Sequence, residues 1–163
     1  MSPGYEGLVT RGIAFAVDAA VINLVALIVT VSAGLALSVL DPSNNAETVA
    51  LAVGGVAYVV WTIGYFVTFW STTGQTPGNR LLQIRVCRGS DRDVLRPRKA
   101  LLRLGAMMVC AIPLFAGFLP VLVDNRRRGL HDMVAGSVVV SAPVEARVRE
   151  ARRAARRRRA APR

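Results

Sequence analysis

The feature that most constrains this chain is an acid inside an apolar stretch long enough to cross a bilayer. The stretch opens at Arg11-Gly12-Ile13-Ala14-Phe15-Ala16-Val17-Asp18 and runs on apolar to Leu40. A crossing takes roughly 20 apolar residues at about 1.5 Å each. The run is longer than that, so its helix, expected from about Thr10 to Leu40, should tilt or extend beyond the membrane. Arg11 and Asp18 are close to two helical turns apart, which puts both on one face with Asp18 about 10 Å further in. A carboxylate at that depth costs a few kcal/mol unless it is paired, wet or protonated. It is expected to face the protein interior, where it marks a functional site or simply joins helices.

Composition supports a membrane protein of one domain. The 163 residues are 53% hydrophobic yet carry a net charge of +11, and the mean hydropathy is +0.42. The two properties are segregated: apolar runs occupy 13–40, 48–70 and 100–123, while most arginines lie in 80–99 and after 125. A cleaved signal peptide is the rival for the first run, with Val31-Ser32-Ala33 as a loose cleavage pattern. The run is too long for a signal core of 7–15 residues, and Asp18 interrupts it, so an uncleaved helix is expected. Cys87 in a basic loop and Cys110 in an apolar run are not expected to meet in a disulfide. One His and two Cys cannot make a Cys/His zinc site unaided.

Asp41-Pro42-Ser43-Asn44-Asn45 is a turn signal before a second helix, about 48–70, whose aromatic residues gather in its second half. The loop 41–47 holds two acids and no Lys or Arg, whereas 71–99 is strongly basic. Basic short loops stay cytoplasmic, which places the amino terminus and 71–99 inside. A single crossing by 100–123 would put the following arginines outside. Pro113, Gly117 and Pro120 interrupt that run, so a re-entrant hairpin is expected in preference to a third span. Leu82-Gln83-Ile84-Arg85-Val86 alternates like a strand, and Ser137-Val138-Val139-Val140-Ser141 is its natural partner in a small cytoplasmic pair. The fold class expected is all-α membrane, with two transmembrane helices, a third apolar segment and this strand pair. Residues 1–143 form the transmembrane domain. Residues 144–163 form an Arg-rich tail, helical or disordered.

At Thr72-Thr73-Gly74-Gln75-Thr76-Pro77-Gly78-Asn79-Arg80-Leu81-Leu82 the chain resembles the RDD family of bacterial membrane proteins. Arg11 and Asp18 match the family's arginine and aspartate in its first helix. Arg128-Gly129-Leu130-His131-Asp132-Met133-Val134-Ala135-Gly136-Ser137 is similar to its terminal motif, with Asp132 as the second named aspartate and Asp124 as another candidate for that match. Asn79 stands where the family has Lys, so a charge beside the membrane is missing. Membership implies a small polytopic protein of the bacterial cell membrane, and the transport role suggested for the family leaves activity open.

Thr76, Pro77 and Gly78 form an exit turn in which Pro fixes φ and Gly permits positive φ. Backbone amides there either serve the turn alone or cradle an anion. Arg11, Arg80, Asp18 and Asp132 form the candidate charge cluster, read as a structural network or as an ion or proton site in which one aspartate titrates. His131 is either a proton shuttle near neutral pH or a packing residue. No nucleophile–base set is evident, so the chain is not expected to be an enzyme, and no cofactor or metal is expected. Two functions stand: a transporter or ion/proton exchanger using Asp18, as a homo-oligomer because two spans enclose little, and a non-catalytic module whose basic face binds anionic lipid or a protein partner. The Arg-rich tail is expected to hold anionic lipid. With no interleaved aromatics to stack on bases, nucleic acid is disfavoured.

Overall fold

The computed structural model describes residues 5–40, 44–89, 93–111, 119–143 and 150. Two long helices dominate: α1, Leu8–Leu40, and α2, Asn44–Thr72. At about 1.5 Å per residue each exceeds the roughly 30 Å hydrocarbon core. Only 6% and 11% of their most apolar 18-residue windows are buried. Val29, Leu35, Val39, Leu51, Val53 and Val56 stand exposed. A soluble protein does not present apolar surface on that scale; lipid or a second protein surface must cover it. The aspartate end of the pair is joined by a Phe15–Phe66 stack with centroids 5.7 Å apart and by Tyr58 Oη donating to Asn23 Oδ1 at 3.2 Å.

Smaller elements pack below that end. α2 gives way at Gly74, whose φ of +72° suits only glycine without strain, and whose N–H bonds the Phe69 carbonyl at 2.8 Å. α3 follows at Pro77–Leu81, capped by the Thr76 hydroxyl. Then come β1, Ile84–Arg88; α4, Pro97–Ala111; α5, Pro120–Val123; α6, Leu130–Ala135; and β2, Ser137–Ser141. The strands pair antiparallel, Val86 opposite Val139.

β2 falls where the sequence places it, while β1 starts two residues later than the expected 82–86. Leu82 caps α3 and Gln83 takes a positive φ of 53°, so extended backbone begins only at Ile84. Both faces of the pair are covered. Ile84, Val86 and Val139 join a core with Ala14, Tyr65, Phe66, Trp70 and Leu104, while Cys87, Val138 and Val140 pack with Tyr5 on the other side. Residues 112–118, where the hairpin expectation falls, lie outside the described residues, as do the turn at 41–43 and nearly all of the tail.

Candidate functional site

Two buried carboxylates organise the aspartate end. Asp18, 2% exposed on α1, accepts three hydrogen bonds from two other elements. Tyr65 Oη on α2 donates at 2.9 Å, Thr76 Oγ1 at 2.5 Å and the Gly78 N–H at 2.8 Å. The Thr-Pro-Gly turn thus closes on α1, and the anion its amide cradles is the chain's own carboxylate. Gly78 does not use the positive φ that glycine permits; among the described glycines only Gly74 and Gly136 do. Gly78 is needed for closeness, since a Cβ there would meet the Ala14 carbonyl oxygen at 2.1 Å.

Asp132, fully buried on α6, sits between two guanidinium groups. Arg11 Nη1 reaches Oδ2 at 2.5 Å and Arg103 Nη2 reaches Oδ1 at 3.1 Å. The Ser137 hydroxyl donates to Oδ1 at 2.9 Å. Arg11 also donates to the Arg127 carbonyl at 2.6 Å, and the Arg103 guanidinium lies 4.7 Å from the centre of the Trp70 ring. Burial opposes ionisation of Asp132, but Arg103, Arg11, His131 and the Ser137 hydroxyl together hold its carboxyl below the ordinary range.

Of the four residues expected to cluster, the structure brings Arg11 and Asp132 into contact. It places Asp18 in a separate cage of hydroxyls and a backbone amide, so the expected cluster divides into two centres. Arg80 is exposed on α3 and forms no ion pair with either aspartate. Asp124 pairs with Arg128 at 3.0 Å nearer the surface. Arg103 was not anticipated. It is the one charged residue in the run 100–123, and a charge inside an apolar run carries the same signal as Asp18.

A cavity of about 50 Å³ lies beside Asp18, lined in part by Arg11, Asp18, Asn79, Arg103 and His131. Arg103 Nε and Nη1 and Arg11 Nε are buried without a hydrogen-bond partner among the described residues. That volume holds a water or two.

Burial, with Arg103 and Arg11 adding to it and Asp132 opposing, pushes the His131 imidazole down to about 4. An imidazole that is buried and neutral at pH 7 fits the packing alternative better than a neutral-pH shuttle. Between the ordinary 6.5 and about 4 the unfolded chain binds more protons than the folded one. Stability is therefore full above 6.5 and falls as the pH drops through that window, by about 3 kcal/mol in all. Melting followed from pH 7 to 4 should show this slope, and His131→Gln should flatten it; an unchanged slope would assign it to other groups.

The sequence profile of the RDD family matches residues 5–136. Two proteins of Mycobacterium tuberculosis, each called a proline-rich antigen homolog, from strains CDC 1551 / Oshkosh and ATCC 25618 / H37Rv, are 33% identical to the chain over 90 residues. The match covers 55% of this chain and 36% of each relative, so the chain matches only about a third of their length. No solved structure matches it.

Proposed function

This chain belongs to the RDD family, and from that premise we propose that it is a small membrane transporter or exchanger of protons or cations whose exchanging group is Asp18. One observation carries the reading: both arginines of the site go to Asp132, and no cation lies within ion-pair distance of Asp18 among the described residues. Two of the three donors on Asp18 are hydroxyls. A hydroxyl donates or accepts, so Tyr65 and Thr76 can turn to serve a protonated acid or a bound cation as well as a bare carboxylate. The cavity beside Asp18 gives water or an ion a place to wait. Two helices enclose no pathway alone, and their exposed faces make a homo-oligomer part of the proposal.

The test is cation-driven proton flux in proteoliposomes. Asp18→Asn should abolish flux while the protein still inserts. Flux equal to wild type would sink the reading. The orientation belongs to the same proposal, with the amino terminus and basic segments in the cytoplasm of a bacterial cell. Labelling from outside should reach Ser43→Cys and miss Ser90→Cys.

A second reading is a membrane module that meets anionic lipid or a partner through its basic face. It is favoured by Arg96, Arg98, Lys99, Arg126 and Arg127, all exposed. It requires no flux, and it is compatible with the first.

A further inference from the structure

A cleft of about 600 Å³ opens beside α4 and gathers Arg88, Arg96, Lys99, Arg126 and Arg128. These come from β1, the segment before α4, α4 itself and the turn before α6, so they are not the solvated stripe of one helix. Among the described residues no carboxylate lines the cleft. Asp124 engages Arg128 through both oxygens, at 3.0 and 3.2 Å. Arg96, Lys99 and Arg126 have no ion pair among the described residues. Like charges brought together by the fold repel one another until an anion arrives. Arginine forks suit phosphate oxygens bidentately, and the volume suits a small headgroup.

A second, apolar groove of about 800 Å³ runs along the same two helices, lined by Leu101, Leu102, Val109, Leu130 and Val134, with Arg98 also at its wall. Each of these five apolar residues is exposed. α4 and α6 wall both sites: Lys99 and Ala135 face the basic cleft, while Leu102 and Val134 face the groove. A soluble phosphate compound has no use for that groove; a lipid has.

We propose that this helix pair is a binding site for one anionic phospholipid, its phosphate headgroup in the basic cleft and an acyl chain along the apolar groove. The inference rests on the basic-face reading and narrows it to a defined site, distinct from the Arg-rich tail.

The full-length protein, purified in neutral detergent, is offered phosphatidylglycerol, phosphatidylcholine or glycerol phosphate, and retained ligand is counted by native mass spectrometry. Phosphatidylglycerol should be retained and phosphatidylcholine should not. Joint replacement Arg96→Gln, Lys99→Gln and Arg126→Gln alters only exposed side chains and should cut retention about a hundredfold. Its melting without lipid should stay as in wild type. Leu101→Gln should weaken retention too. Arg156→Gln through Arg159→Gln, made together, should leave retention intact. Full retention by the cleft variant with loss in the tail variant would overturn the site and keep the broader reading. Full retention by both would overturn both. Glycerol phosphate bound as tightly as the lipid would overturn the lipid assignment.

Discussion

Asp132→Asn should lower stability by about 3–5 kcal/mol. The substitution keeps the shape of the side chain and removes the one charge that Arg11 and Arg103 share. Their side chains are only 11% and 4% exposed, and Asp132 is fully buried. Two guanidinium groups would then remain in a nearly closed site with a neutral partner. The cost is dominated by those uncompensated charges rather than by the lost hydrogen bonds. A double change follows from the same physics. Adding Arg103→Gln to Asp132→Asn removes one of the stranded cations and should recover part of the loss, although each single change is harmful. Melting of wild type, both single variants and the double in one detergent decides this. If Asp132→Asn melts with wild type, the arginines are reached by water and the buried network does not exist as described.

The same network shows what could be read before the fold was known. Asp18 was legible because a charge in an apolar stretch has few ways to be stable, and Arg103 carried the same signal. The partners were not legible. The spacing of Arg11 and Asp18 puts them on one helix face but about 10 Å apart along the axis, too far for an ion pair, and face-sharing alone does not make contact. Arg11 finds Asp132 across 121 residues of sequence, a choice made by how α4 and α6 dock. The strands show a similar division. Ser137–Ser141 is a short apolar run after Gly136, whose φ of +67° ends α6, so both its limits are visible. The start of β1 depends on Gln83 adopting a left-handed conformation, for which glutamine has no particular preference. The small elements at the aspartate end are therefore set by tertiary closure around Asp18 and Asp132.

That closure is tightest at Gly78, where one added methyl should be enough to break it. A Cβ at this position would lie 2.1 Å from the Ala14 carbonyl oxygen, 3.0 Å from its carbon and 3.0 Å from Asp18 Cγ. The carbonyl belongs to the interior of a 33-residue helix and cannot swing aside without losing its own ladder bond. α3 must therefore back away from α1. Retreat stretches the Gly78 N–H bond to Asp18, now 2.8 Å, and draws Thr76 with it. Overpacking costs about 1–3 kcal/mol and a lost hydrogen bond to a charged group about 1.5–3 more, so Gly78→Ala should lower stability by roughly 3 kcal/mol or more. Gly105→Ala on α4 is the control. Nothing lies within 4 Å of its Cβ position, and alanine in a helix should gain up to about 1 kcal/mol. The pair also separates two roles for the Thr-Pro-Gly turn. If Gly78 mattered only for flexibility, alanine would cost little, because the backbone there is not in the left-handed region. If it matters for contact, Gly78→Ala should melt well below wild type while Gly105→Ala matches or exceeds it. Equal melting of the two variants would mean that α3 does not press on α1, and the cage around Asp18 would lose its floor.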